Sequence, residues 1–229
     1  MTPPLLAIEC SQRAGGIALL DGNGASHRML FDPEARHDDV LVPAIDSMLR
    51  DHGCARDDLA GCGVSIGPGG FTGLRVSIAT VKSLALALEL PVYGVPSALV
   101  VASSVPDPPS EMVIALAGKG DTAWFTSVAK EDGRWRIRGE ASLVHADGNQ
   151  DGFDSIATIV ADEHLPESFR RAADDRGVTI LPPRWDPMAC LSLTRHRHES
   201  GDADEPHSLQ PIYPRVPEAV SIWEAKKRP

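Results

Sequence analysis

Gly67-Pro-Gly-Gly-Phe-Thr-Gly-Leu-Arg75 decides the reading of this chain. A strand-like run, Cys62-Gly-Val-Ser-Ile66, leads into it, and an apolar stretch of helical length follows from about Leu74 to Leu90. Glycines between a strand and a helix allow positive φ and close approach of backbone N–H groups. The free N–H groups at a helix start suit an anion or a partner's carboxylate. Thr72 is expected to cap the helix through its hydroxyl. The stretch has neither the GK[ST] ending of a phosphate loop nor the GxGxxG of a dinucleotide fingerprint. The loop residues singled out are Gly67, Gly69, Gly70, Thr72 and Gly73; a purely structural turn is the alternative, since glycine-rich turns are common.

Upstream, Leu5-Leu-Ala-Ile-Glu9 and Gly16-Ile-Ala-Leu-Leu-Asp21 read as strands, and Asp21-Gly-Asn-Gly24 is a hairpin signal before His27-Arg-Met-Leu-Phe31. From Asp38 to Asp51 the period changes: Val40, Leu41, Ala44, Ile45, Met48 and Leu49 recur at helical spacing, and Gly53 stands where a helix C-terminal glycine would. Pro91 closes the second helix, Val92-Tyr-Gly-Val95 is a further strand, and Ser97 starts a helix through Val101. The order is βββαβαβα.

Ser103-Ser-Val-Pro-Asp-Pro-Pro-Ser110 is a boundary by composition. Beyond it Met112 to Ala117, Thr122 to Val128 and Trp135 to Val144 read as three strands, so the pattern restarts. Two α/β lobes are expected, residues 1–105 and 106–229. Arg195 to His207 reads as a polar, mobile loop.

The 229 residues carry 22 Lys+Arg and 32 Asp+Glu, a net charge of −10. The acidity is spread: residues 1–105 hold 7 basic and 11 acidic groups, leaving 15 and 21 beyond. Phosphate affinity rests on Lys and Arg, so autonomous tRNA or DNA binding is not expected. Cys10, Cys54, Cys62 and Cys190 form no CxxC pair or zinc spacing, and the N-terminus has no basic and long apolar leader pattern. No apolar run is read as approaching the roughly 18 residues of a membrane span. A cytoplasmic protein with free thiols is the expectation.

The loop resembles the GPGSFTGLR signature of the TsaB (YeaZ) family. Leu6-Ala-Ile-Glu-Cys-Ser11 is similar to that family's LAIDTS-like strand, and Arg36-His37 with Leu41-Val-Pro43 to its RH…LLP. Ile78-Ala-Thr-Val-Lys82-Ser-Leu-Ala85 resembles its IATAKGLA helix, and Pro211-Ile-Tyr-Pro-Arg215 its P-x-Y-x-R tail. The resemblance implies an actin-like ATPase fold of two βββαβαβα lobes and a place in making tRNA threonylcarbamoyladenosine. It implies a non-catalytic subunit that pairs with TsaD, the related metal-carrying transferase, and is joined by the small ATPase TsaE. A homodimer is implied when the partner is absent.

The residues agree with a subunit that has no catalytic, metal or cofactor site of its own. Two metal-binding histidines on one helix face would stand a turn apart, but Leu41 is four residues after His37. His196-Arg-His198 has i,i+2 spacing, a weak metal pattern. Relative to the family, Glu9 replaces an Asp, Cys10 a Thr and Gly70 a Ser, and Leu116-Ala-Gly-Lys119 lacks the acid of an LDAR-like strand end. No cofactor is expected, and the assembled complex is the one place left open for ATP. Glu9 and Ser11 satisfying backbone groups in a hairpin is the plainer alternative. The second helix is apolar on more than one face, which suggests a further buried contact. Leu41, Ile45, Met48, Leu74, Arg75, Ile78 and Lys82 are the expected partner interface, with plain core as the alternative. Rival functions are an actin-fold ATPase or small-molecule kinase, a glycoprotease-like peptidase, and a self-associating structural protein.

Overall fold

A computed structural model of the chain describes residues 2–32, 34, 37–117, 120–145 and 156–213. Arg36, Gly118, Lys119, Arg215 and the side chain of His37, all used in the sequence reading, lie outside the described residues.

The first sheet holds β1 (Leu5–Glu9), β2 (Gly16–Leu20), β3 (Ser26–Leu30), β4 (Gly61–Gly67) and β5 (Val92–Pro96) in the order β3-β2-β1-β4-β5. β1, β2 and β3 are antiparallel neighbours, whereas β4 and β5 run parallel to β1. The second sheet repeats this plan. β6 (Glu111–Ala117), β7 (Thr122–Glu131) and β8 (Arg134–Ile137) are antiparallel, and β10 (Thr158–Val160) and β11 (Thr179–Leu181) run parallel to β6. The repeated order is the two-lobed α/β plan expected for the actin-like ATPase fold.

β1 and β2 are buried at every position, so they need apolar residues on both faces. Alternation sorts these side chains. Leu6, Ile8, Ile17 and Leu19 meet the helices α1 (His37–Asp51) and α2 (Phe71–Leu88). Leu5, Ala7, Ala18 and Leu20 meet Ala189, Cys190 and Leu191 of α5 (Pro187–Glu199). α3 (Ser97–Ser104) turns Ala98, Val101 and Ala102 onto Met112, Ile114, Val128 and Trp135 of the second sheet. The other face of that sheet is covered by α4 (Glu167–Asp175) through Phe169 and Ala173. The last helix of the second half therefore lies on the first half's sheet, and α3, whose Val100 faces the first sheet, packs between the two sheets.

Several expectations need correction. α2 begins at Phe71, three residues before the expected Leu74. Gly70 is its N-cap: its carbonyl accepts from the Leu74 N–H at 3.1 Å, and having no side chain it makes no side-chain cap bond. Thr72 therefore sits exposed inside the first turn. The single strand expected over Trp135 to Val144 is two, β8 and β9 (Ser142–His145); β8 pairs with the far end of β7 and β9 with its near end. Gly139, at φ 64°, lies between them.

The first part of the polar loop expected over Arg195 to His207 is helix. Residues 195–199 finish α5, which starts on the N-cap Asp186, whose carboxylate accepts from the Met188 N–H, followed by Pro187. The chain then runs as a strap along the first sheet. The Asp204 N–H donates to the Val92 carbonyl at 2.8 Å and the Ile212 N–H to that of Ile66 at 2.7 Å. Arg197 reaches Asp202, Asp204 and the Gly94 carbonyl, locking the strap to α5.

α2 is also 18 residues long with mean hydropathy 1.4, enough by length and composition to cross a membrane, contrary to the reading that no run approaches that span. In the fold its Leu74, Ile78, Val81 and Ala85 are buried in the protein core.

Candidate functional site

The glycine loop closes over the end of β1. Gly67 has φ 99°, and a Cβ there would stand 2.9 Å from Leu74 and 3.0 Å from the Ile212 carbonyl. A Cβ on Gly69 would lie 2.2 Å from the Ser11 carbonyl oxygen, and the Gly70 N–H donates to that same oxygen at 2.7 Å. The motif's glycines thus let one loop rest backbone-to-backbone on the β1–β2 turn. Gly73 is buried at the start of α2.

Beneath this contact Glu9 is fully buried. Its Oε1 accepts from the Ser11 N–H at 2.8 Å and from the Ser11 hydroxyl. Oε2 is buried with no hydrogen-bond partner among the described residues. Ser65 and Ser97 share a hydroxyl hydrogen bond of 2.7 Å, and Ser65 neighbours the carboxyl. Burial drives the Glu9 carboxyl above its ordinary range, and the Ser11 hydrogen bonds and the neighbouring Ser65 only partly oppose it. Burial and the Glu9 charge also push up the thiols of Cys10 and Cys190. A sealed carboxyl of this kind touches no dissolved substrate, and neutral thiols are poor nucleophiles.

Openings lie elsewhere, two of them large. A cleft of about 960 Å³ separates Gln12 and Arg13 of the β1–β2 turn from Asp162, His164, Arg170 and Trp185 of the second lobe. It lies off the ends of β10 and β11, and no motif in the sequence announced it. The other is an apolar groove of about 520 Å³ between α1 and α2, lined by Val42, Pro43, Ile45, Leu49, Leu59, Thr80 and Leu84, with Asp46 and Arg56.

Five of the seven expected interface residues turn inward. Leu41, Ile45, Met48, Leu74 and Ile78 are each at most 6% exposed, so they are core, and only Ile45 also lines the groove. Periodicity found their helix faces but took the inward stripe for the outward one. The outward side carries Val42 at 60% and Leu86 at 56% exposure. The two cations serve the strap: Lys82 donates to the carbonyls of His207 and Leu209, and Arg75 to the Tyr213 hydroxyl at 2.8 Å. His196 and His198 sit on α5, and the His198 ring is held by the Tyr93 hydroxyl at 2.9 Å. Among the described residues no three His, Cys, Asp or Glu side chains are grouped to hold a metal ion.

Comparison with known proteins supplies the relationship. A family model described as TsaD, tRNA N6-adenosine threonylcarbamoyltransferase, matches residues 33–186, more than half of the chain. The tRNA threonylcarbamoyladenosine biosynthesis protein TsaB of Escherichia coli is 30% identical over 135 residues, 57% of this chain and 58% of that protein. The chain belongs to this family, as a TsaB (YeaZ) member. An uncharacterized protein of Mycobacterium tuberculosis is 29% identical over 202 residues, 85% of this chain and 82% of that one. YeaZ from Pseudomonas aeruginosa superposes with a TM-score of 0.77 at 22% identity, over 93% of this chain and all of that one, so the fold is a YeaZ fold. Against this TsaB-type background, the sealed Glu9 and the open α1–α2 groove are the two features that bear on function.

Proposed function

We propose that this chain is the non-catalytic accessory subunit of the machinery that makes tRNA threonylcarbamoyladenosine, and that it docks a TsaD-like transferase through the outward side of α1 and α2. The observation that carries this is the apolar groove between the two helices, flanked by exposed Val42. Exposed apolar surface of this kind marks interaction sites. In isolation the same face pairs with a second copy, and a TsaE-like ATPase joins the assembled complex. The subunit works in the cytoplasm, leaves tRNA contact mainly to its partners because of its −10 charge, and meets nucleotide only in the complex. Its two units are residues 1–105, which hold the docking helices, and 106–229.

Titration of the full chain with its cognate TsaD-like protein tests this. A complex should form at micromolar concentration, and Val42→Asp should weaken it at least tenfold; no complex would sink the reading. The cleft between the lobes favours a second reading, an actin-fold ATPase or kinase. Calorimetry with ATP and magnesium separates the two, since binding with turnover by the isolated chain would support the enzyme.

A further inference from the structure

We propose that Arg75, at the head of α2, is a prepositioned fork for a carboxylate on the partner protein, with the Phe71 ring as its apolar seat. The surface lies outside the helix groove, and naming the partner as TsaD-like rests on the reading above.

The Arg75 guanidinium is fixed from two sides. Its Cζ stands 3.5 Å from the centroid of the Phe71 ring, and its Nε donates to the Tyr213 hydroxyl at 2.8 Å. The two aromatic rings are 5.7 Å apart, so the three side chains form one cluster. The two terminal nitrogens of Arg75 have no hydrogen bond or ion pair among the described residues. Several exposed arginines of this acidic chain have a carboxylate, Arg28 with Asp186, Arg171 with Glu167 and Arg195 with Glu199, whereas Arg75, like Arg134 and Arg184, has none among the described residues. Arg75 instead stacks on an aromatic ring and keeps its paired donors open, the geometry that receives a carboxylate bidentately.

Phe71 is 54% exposed, an unusual state for a phenyl ring that already holds a cation. An aromatic ring beside a rigid arginine is the composition of an interface centre. Because the guanidinium is already fixed, less side-chain freedom is lost on binding. A free phosphate fits less well, since Lys82 on the same helix is occupied by two backbone carbonyls and a phosphate would leave Phe71 uncovered. An Asp or Glu next to an apolar side chain satisfies both parts. Arg75 and Leu84 are nine residues apart, roughly 14 Å along the helix and half a turn around it, so the fork and the groove flank opposite sides of α2 and one partner reaches both only across the helix's outer face.

The test is titration of the full chain against the cognate TsaD-like protein, with thermal melting of every variant. Arg75→Glu should weaken the complex by about tenfold to a hundredfold and Arg75→Lys, which keeps charge but loses the fork, by several-fold. Tyr213→Phe, which keeps the ring and frees Nε, should weaken it less than either. Raising salt should cost the wild type more affinity than Arg75→Gln. If Arg75→Glu binds within twofold of wild type while Val42→Asp is weakened, the fork is overturned and the groove stands. The reverse result supports the fork and overturns the groove. Displacement of the partner by millimolar inorganic phosphate from wild type but not from Arg75→Gln would assign the fork to phosphate and overturn the proposal.

Discussion

Gly63 on β4 lies directly beneath Thr194 on α5. A Cβ at residue 63 would stand 1.7 Å from the Thr194 Oγ1 and 2.7 Å from its Cβ. Thr194 is fully buried and its hydroxyl donates to the Cys190 carbonyl at 2.8 Å, so it has no room to withdraw. The late helix is thus seated on the early sheet at a point that accepts hydrogen and nothing larger.

Gly63→Ala should therefore destabilise the protein by about 3 kcal/mol, the upper end of overpacking costs in a dense core. Adding Thr194→Gly should return part of that loss, because it removes the facing Cβ. Chemical denaturation of the three proteins measures it; a single variant as stable as wild type would show that α5 is not seated there.

Glu9 makes stability fall as pH rises. Its carboxyl is raised in the folded protein, so the folded state holds the proton more tightly than the unfolded chain. Stability from this site is full below the ordinary carboxylate range, about pH 4, and declines as pH rises through the raised value. The urea midpoint of wild type should fall relative to that of Glu9→Gln as pH rises above the ordinary carboxylate range. Parallel profiles would show the carboxylate to be ionised at no cost. Asp21, lowered by its contact with His27, acts in the opposite sense and only in acid, so the two windows do not overlap.

Adjacent residues of α1 should separate core from surface. Leu41 is 1% exposed and Val42 60%. Leu41→Ala should cost about 2–5 kcal/mol, whereas Val42→Ala should stay within about 0.5 kcal/mol. Equal losses in thermal or urea melts would mean that the helix is rotated about its axis.

The thiols should be silent. Cys62 is buried and pushed up to about 12 by desolvation, and Cys10 and Cys190 are also fully buried and raised. A thiol reagent should label these three only at the rate of global unfolding, while Cys54, at 8% exposure, reacts first. Rapid labelling of three or more thiols in the native protein would contradict the packing.

Much of the first lobe was legible because its signals are local. The α1 reading, 38–51, differs from His37–Asp51 by one residue, and Gly53 has the positive φ its position suggested. What failed were judgements that depend on the other half of the chain. α5 was missed because its last turn, Arg195 to Glu199, is polar and its apolar part ends in Thr194. Asp186 followed by Pro187 was the overlooked start signal. The inward stripe of α1 and α2 was taken for an interface because periodicity finds a stripe without saying which side faces the sheet. The cleft between the lobes has no sequence signature, since its walls lie some 150 residues apart in the chain.

The crossed placement of α3 and α5 leaves the chain without a seam. The Pro-rich link between Ser104 and Glu111 is the natural place to nick it, yet the first piece would lose the α5 that covers its sheet and would keep an α3 half of whose packing is on the second sheet. The two pieces should be sticky and poorly folded apart, and should click back into one particle when mixed. A gene split at that link would thus report reassembly of the protein rather than yield two usable modules.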